Sequence, residues 1–186
     1  VLLGPDGRPL RPAILWLDAR STAEAEALCR NAREIAAISG KRPAAYNVEP
    51  KLLWIRLHEP LIWQKARRVT TTTGYIVYRL TGAPVMNHSD AGILLAYDVH
   101  RRAWSHELLE MMNLPRSIYC DLAESHDVAG GLHPDAAAAL GLPCGLPVVA
   151  GGEDTSSAGL AIGAAQPGDT FISLGTACTV YTATSG

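Results

Sequence analysis

The chain has 186 residues, of which 48% are hydrophobic, and a formal net charge of −2 at pH 7. Its mean hydropathy of +0.09 indicates a globular chain rather than a disordered one, and its length suffices for one domain with a substantial core. The small net charge excludes the electrostatic footprint of a nucleic-acid or anionic-membrane binder. No apolar run approaches the roughly 18 residues that a membrane span requires.

The four cysteines and six histidines are scattered along the chain. They lack the close Cys/His spacing of a zinc site, so no metal ligands are predicted. Isolated thiols favour a reducing compartment over a disulfide framework, which predicts a cytoplasmic protein. The chain begins at Val1 and ends at Gly186, just after an apolar run, and we therefore expect a fragment of a longer protein.

The first predicted elements are a hairpin and a long helix. Apolar residues 1–3 and 13–17 flank a turn rich in glycine and proline, which predicts a β-hairpin. Ser21 and Glu24 have the spacing of a capping box, so a helix is predicted from there to about Ile38.

Two more helices are predicted over residues 49–58 and 60–68. Residues 70–80 combine a β-favouring composition with helical spacing of their apolar side chains. The spacing favours a helix, which Gly82 would close.

In the second half, Ser105 predicts the start of a helix, and the Pro134 to Gly141 interval has the proline-first, glycine-last pattern of another. After Pro147 the order becomes strand, turn, helix, strand, Gly-Thr and strand. Residues 166–169, Gln-Pro-Gly-Asp, predict a hinge between two lobes.

Asp154 stands where a predicted strand gives way to a helix of small residues, directly after the Gly-Gly-Glu of 151–153. The two glycines let a ligand approach the backbone closely. Free N–H groups and the positive end of the helix dipole favour an anion at the same place. A carboxylate here can accept the proton of a bound alcohol. The alternative is that Asp154 only caps the helix.

Gly175 and Thr176 follow the apolar run 171–174 and predict a tight turn. A backbone N–H and a hydroxyl at this turn could bind a nucleotide phosphate, since such loops act largely through backbone donors. The alternative is an ordinary β-hairpin.

Two further groups could contact a ligand. Asp18 and Arg20 follow Trp16, and an aromatic ring with alternating hydrogen-bonding groups suits a polyhydroxylated molecule. The alternative is a salt bridge at a strand edge with the tryptophan in the core. Tyr46 lies in a loop and could offer its hydroxyl to the same ligand, or it could simply pack as a lid.

Taken in order, these segments resemble the FGGY family of carbohydrate kinases, and in particular its xylulokinase-like branch. The resemblance covers essentially the whole chain. It is carried by Ile-Leu-Trp-Leu-Asp-Ala-Arg at 14–20, Lys-Leu-Leu-Trp at 51–54, Tyr-Ile-Val-Tyr-Arg-Leu-Thr-Gly at 75–82, Ser-Asp-Ala at 89–91, Gly-Gly-Glu-Asp at 151–154 and Leu-Gly-Thr at 174–176.

The resemblance implies an α/β chain with the two-lobed, actin-like ATPase or ribonuclease H-like fold. Residues 1–165 would be the latter part of the N-terminal, sugar-binding lobe, and 166–186 would begin the C-terminal, ATP-binding lobe. Sugar and ATP bind between the lobes in this family. A fragment of this extent is not expected to catalyse by itself.

The resemblance also implies the function, phosphorylation of a ketopentose or related polyol by ATP with Mg²⁺. Expected partners are this small sugar and, in a homodimer, a second copy of the chain, with neither nucleic acid nor membrane. The resemblance implies Asp154 as the general base, Tyr46 as a sugar contact, and Gly175 and Thr176 as contacts of the ATP phosphates. Thr155 stands at a position that can contact the sugar. Asp18 and Arg20, proposed above from their own pattern, are expected to help position the same sugar.

The chain departs from the family pattern at several positions. Thr155 stands where many members have asparagine, and Thr73-Gly74 replaces a Lys-Asp pair. These departures favour an alternative function, a non-catalytic sugar-binding or regulatory module of the same fold.

Overall fold

The computed structural model describes residues 1–175 and 178–185. The first of its two compact units is Val1–Gly151, and the second begins at Gly152. The predicted lobe boundary lies later, between residues 165 and 166, and the assignment of lobes stays a prediction.

Short helices make up most of the regular structure of the first unit. Two single turns of 3₁₀-helix, Cys29–Asn31 and Arg116–Ile118, lie among them. The helices are α1 (Thr22–Leu28), α2 (Ala32–Ser39), α3 (Val48–His58), α4 (Pro60–Lys65), α5 (Thr72–Thr81), α6 (His88–Ala91), α7 (His106–Met111) and α8 (Pro134–Leu140).

The strands of this unit are two to four residues long and pair two by two. β1 pairs antiparallel with β2, β4 with β5 and β7 with β8, whereas β3 and β6 are parallel. These strands are β1 (Leu2–Leu3), β2 (Arg68–Val69), β3 (Val85–Asn87), β4 (Tyr97–Asp98), β5 (Ala103–Trp104), β6 (Asp121–Ala123), β7 (Val128–Gly131) and β8 (Pro147–Val149).

Two local predictions near the start of the chain are wrong. Residues 13–17 form no strand: the chain turns back only as far as an isolated bridge between Leu3 and Pro9, and the strand partner of Leu2 is Val69, 67 positions later. The predicted continuous helix is interrupted by the 3₁₀ turn between α1 and α2. The side chain of Ser21 makes no capping hydrogen bond to α1 because its hydroxyl donates to the carbonyl of Ala45 instead, at 3.2 Å.

Helix signals elsewhere are confirmed. The ambiguous segment is α5, whose N-cap Thr71 accepts a hydrogen bond from Gly74 N–H at 3.2 Å. Its end is set by Gly82, whose φ of 78° is left-handed and therefore costs glycine little. α8 begins at Pro134 and ends before Gly141, with φ of 65°, as the proline-first, glycine-last pattern predicts.

Glu49 is a fully buried carboxylate in the apolar core of the first unit. Its Oε2 accepts the N–H of Leu95 at 2.9 Å, its Oε1 accepts the N–H of Ala96 at 3.1 Å, and the Tyr119 hydroxyl donates to Oε1 at 3.4 Å. Burial raises the pKa of Glu49, and the hydrogen bonds from Leu95 and Ala96 partly offset that rise. Through this carboxylate, α3 holds the buried 95–96 backbone.

The second unit packs a helix on a hairpin. α9 (Asp154–Ala161) is followed by β9 (Thr170–Leu174) and β10 (Cys178–Thr182), which pair antiparallel. Gly159 allows the close approach of α9, since a Cβ atom there would lie 2.9 Å from the Phe171 ring. The rings of Phe171 and Tyr181 are 5.0 Å apart and close the other side of this small core.

Candidate active site

Asp18 and Arg20 form a bidentate ion pair in the turn before α1. Arg20 Nη2 donates to Asp18 Oδ2 at 2.7 Å, and Arg20 Nε donates to Oδ1 at 2.9 Å. The salt bridge considered as an alternative is thus present, but it lies in a turn rather than at a strand edge. Trp16 is 54% exposed, so the expectation that it packs in the core is wrong. The pair offers a fixed set of charged donors and acceptors near an exposed indole.

Arg20 keeps the Asp18 carboxyl ionised well into acid. Hydrogen bonds from the Arg20 side chain and backbone lower the pKa of Asp18 from its ordinary 3.8 to about 2. The stabilisation from such an ion pair is fully present when the pH is above the ordinary pKa of the carboxyl. It is lost as the pH falls through the lowered pKa. We expect Arg20→Met to raise the midpoint of Asp18 from about 2 toward its ordinary 3.8 without reaching it, because the backbone N–H of residue 20 still donates to the carboxylate; ¹³C NMR of the carboxyl carbon follows the titration.

The control for that titration is Arg30→Met, which removes an exposed arginine and should leave the Asp18 midpoint at about 2. An unchanged midpoint in Arg20→Met would contradict the assignment of the shift to Arg20.

Helix α3 supports this turn from one side. The guanidinium carbon of Arg20 lies 4.8 Å from the ring centroid of Trp54, within the range of a cation–π interaction. Lys51, one helical turn earlier, interacts electrostatically with Asp18. The Asp18–Arg20 turn and α3 therefore form one charged surface.

Tyr46 belongs to the same surface. Its side chain is 59% exposed, whereas Lys51 is only 6% exposed. Lys51 Nζ donates to the backbone carbonyl of Tyr46 at 2.9 Å. Burial lowers the pKa of Lys51, and the nearby charge of Asp18 opposes this by raising it. The fold thus brings together three of the predicted sugar-contacting residues, Asp18, Arg20 and Tyr46.

Lys51 was not among the residues predicted for the site. The available signal was its place in the Lys-Leu-Leu-Trp run, three residues before Trp54 in a helix that is otherwise largely apolar there. A buried lysine beside the apolar residues of a helix needs a polar partner, and that need could have identified it.

Asp154, in the second unit, is the first residue of α9 but not its cap. The N-cap is Glu153, whose Oε2 accepts the N–H of Ser156 at 2.9 Å. The capping alternative for Asp154 is therefore wrong. Asp154 is exposed, and its Oδ1 accepts a hydrogen bond from the Thr155 hydroxyl at 3.2 Å. A side-chain hydrogen bond with Glu153 lowers the pKa of Asp154; burial opposes this, and hydrogen bonds from Thr155 lower the pKa further.

The predicted phosphate-binding turn follows β9. Gly175 is exposed and comes directly after Leu174, which pairs with Cys178 in the β9–β10 hairpin. Thr176 lies outside the described residues. The hairpin considered as an alternative is present, and a role in phosphate binding stays a prediction for both residues.

The described residues hold neither a metal-binding cluster nor a membrane-spanning helix. Within 1–175 and 178–185, no three or more His, Cys, Asp or Glu side chains are grouped so that they could hold a metal ion. None of the helices in that part of the chain combines the length and the apolar character that crossing a bilayer would take.

Known proteins resemble this chain over nearly its full length. The xylulose kinase of Klebsiella pneumoniae is 35% identical over 185 residues, which are 100% of this chain and 38% of that protein. The L-fuculokinase of Escherichia coli (strain K12) is 32% identical over 167 residues, 89% of this chain and 35% of that protein. The chain thus spans little more than a third of the length of these relatives.

The fold is shared with a solved structure. The crystal structure of xylulose kinase from Rhodospirillum rubrum matches with a TM-score of 0.91 and 31% identity, over 97% of this chain and 37% of that one. This similarity confirms the predicted α/β class, the actin-like ATPase or ribonuclease H-like fold.

The family is defined by a match in sequence. The profile described as "FGGY family of carbohydrate kinases, N-terminal domain" matches residues 1–161, most of the chain. The chain therefore belongs to the FGGY family of carbohydrate kinases.

Proposed function

We propose that the intact protein is an ATP-dependent kinase of a ketopentose, xylulose-like, or of a related sugar or polyol. The observation that carries this proposal is the position of Asp154, an exposed aspartate at the first position of α9. Glu153 caps the helix, so capping does not occupy the Asp154 carboxylate. The family and the printed names of the relatives, xylulose kinase and L-fuculokinase, support the sugar as acceptor.

In the proposed reaction Asp154 accepts the proton of a sugar hydroxyl. The hydroxyl oxygen forms a bond to the γ-phosphorus of ATP as the bond from that phosphorus to the β–γ bridging oxygen breaks, and ADP leaves with the electron pair. A lowered pKa keeps Asp154 ionised near neutral pH, and the ionised form is the one that can take a proton. Thr155, whose hydroxyl donates to Asp154 at 3.2 Å, would hold the carboxylate in place and contact the sugar.

The sugar-binding part of the proposal rests on the charged surface of the first unit. Asp18 accepts and Arg20 donates hydrogen bonds in a fixed geometry, and polyols present both donors and acceptors. Tyr46 has an exposed side chain and would add its hydroxyl as a third contact.

ATP is the second substrate in this proposal, and it arrives with Mg²⁺. Such ions are usually held by substrate phosphates and one or two carboxylates rather than by a cage of protein ligands. Gly175 would donate its backbone N–H to a phosphate and Thr176 its hydroxyl. A cytoplasmic location and a homodimer stay predictions.

The test is ADP release by the intact protein in the presence of ketopentoses, glycerol and sugar acids, each assayed with MgATP. We expect release that depends on one class of sugar. ATP binding without sugar-dependent release of ADP from any compound would support the rival function, a non-catalytic sugar-binding or regulatory module, and would overturn the proposed kinase.

A further inference from the structure

The loop that leads into α3 has each of four successive carbonyl oxygens engaged. Such a loop is held in place through its backbone, while the side chain of Tyr46 stays exposed to solvent. The four donors are Cys29 Sγ to Pro43 at 3.7 Å, Asn47 N–H to Ala44 at 3.0 Å, Ser21 Oγ to Ala45 at 3.2 Å and Lys51 Nζ to Tyr46 at 2.9 Å.

Lys51 makes the last and the strongest of these contacts. An ammonium is a charged donor, and a hydrogen bond from a charged group is stronger than one from a neutral group. Among the described residues, the Tyr46 carbonyl is the one acceptor within hydrogen-bond distance of Lys51 Nζ. Because the side chain is 6% exposed, water is a poor substitute for that acceptor.

The side chain of Tyr46 is exposed, while its backbone carbonyl accepts a hydrogen bond from the buried Lys51. A phenol has few rotatable bonds, so the position of its hydroxyl follows closely from the position of the backbone that carries it. The direction of the Tyr46 hydroxyl therefore depends on the contact between Lys51 and the Tyr46 carbonyl.

We propose that Lys51 is a positioning residue for sugar binding, which acts through Tyr46 by fixing the backbone of the 43–46 loop. The proposal rests on the proposed function, in which Tyr46 contacts the sugar. Lys51 touches no substrate in it; the lysine keeps the hydroxyl of Tyr46 in place before the sugar arrives. Binding to such a preorganised group avoids the cost of ordering the loop on binding.

The experiment compares Lys51→Met, Tyr46→Phe and the double variant in the intact kinase, with KM for sugar, KM for ATP and kcat measured for each. We expect Lys51→Met to raise the sugar KM about tenfold, the equivalent of about 1.4 kcal/mol, and to leave the KM for ATP and kcat within about twofold. In the Tyr46→Phe background the same change should have little further effect, because paired sites that act through one contact are not additive.

A matched control is Lys41→Met. Lys41 is also a partly buried lysine whose Nζ donates to a single backbone carbonyl, that of Ser39 at 2.8 Å, and burial lowers its pKa too. It lies outside the 43–46 loop, so its removal should leave the sugar KM near the wild-type value. Thermal unfolding of each variant separates a loss of folded protein from a loss of affinity.

A second variant covers the case in which Lys51→Met does not fold. Lys51→Arg keeps the charge and displaces the donor through its longer side chain, and we expect a sugar KM about threefold higher, an increase again absent beside Tyr46→Phe.

Three results decide between the proposals. Equal sugar KM values for the Lys51 variants and Lys41→Met would overturn the role of Lys51, as would an undiminished effect of the Lys51 variants in the Tyr46→Phe background. In both cases the wild-type protein still releases ADP with sugar, so the proposed function stands. No sugar-dependent release from the wild-type protein overturns the proposed function and this inference with it.

Discussion

Asp154→Ala is expected to lower kcat for sugar phosphorylation by about 10²–10⁴, while sugar still binds. The variant removes the group that accepts the proton and leaves the charged surface around Asp18, Arg20 and Tyr46 unchanged. Helix α9 should survive the change because its cap is Glu153. The measurement is the rate of ADP release at saturating sugar, together with sugar affinity by calorimetry.

The control for this prediction is Asp135→Ala. Asp135 is also an exposed aspartate in the first turn of a helix, α8, so the control removes a similar favourable interaction with the helix dipole. It should keep the wild-type kcat. Should Asp154→Ala turn over within a few-fold of wild type, Asp154 is not the general base. A loss of rate that follows entirely from lost sugar binding would likewise remove that assignment.

Glu49→Ala is expected to destabilise the protein by about 2–6 kcal/mol, since it leaves the N–H groups of Leu95 and Ala96 buried without an acceptor, at roughly 1–3 kcal/mol each. A cavity in the core adds to this loss. Urea unfolding measures the change in the free energy of unfolding. Glu26→Ala is the control because Glu26 is exposed on α1, and a change of that kind is usually within about 0.5 kcal/mol.

The contribution of Glu49 should also depend on pH. Burial raises its pKa in the folded protein, so the folded state binds the proton more tightly than the unfolded chain does. The contribution of Glu49 to the free energy of unfolding is then most favourable below pH 4.5, its ordinary pKa. That contribution becomes less favourable as the pH rises through the raised pKa of the folded state. The stability difference between wild type and Glu49→Ala should therefore shrink from pH 4.5 upward; a difference that grows over that interval would contradict the direction of the shift.

Much of the helical structure was predictable because its signals are local. Pro134 and Gly141 mark the two ends of α8 by the backbone angles that they favour, and these hold whatever the rest of the chain does. In α5, helical spacing outweighed a β-favouring composition, since the apolar face of a helix gains from burial more than propensity can cost. The resemblance that carried the fold class also rests on short local segments.

The predictions that were wrong concern groups whose partners are distant in sequence. Two-residue strands such as β1 carry almost no pattern of their own, and the partner of Leu2 is decided by the packing of residues far along the chain. Ser21 looked like a cap, yet its hydroxyl bonds to Ala45. Helix-capping propensity indicates which local hydrogen bond a side chain can make. Whether that bond or one to a distant residue forms depends on the packing of the folded protein.

The candidate site likewise contains residues with local sequence signals and residues whose role depends on distant partners. Asp154 was found from a strand, two glycines and a helix start, but two adjacent carboxylates in that place leave open which of them caps. The structure gives that role to Glu153. Lys51 was quoted within the Lys-Leu-Leu-Trp segment at 51–54 but was given no role. Its partner is the backbone carbonyl of Tyr46, and residue types do not show which backbone group a side chain will bind.

The pairing of Leu2 with Val69 has a consequence for synthesis of the chain on the ribosome. At about 5–20 residues per second, the 67 positions between them take roughly 3–13 s to translate. Until they have been made, β1 has only its local contacts with residues 9 and 10, and the edge that pairs with β2 stays open. During that interval its apolar side chains and open backbone groups are available to chaperones or to other nascent chains. Variants that weaken β2 should therefore lower the yield of folded protein during rapid expression more than they lower its stability once folded.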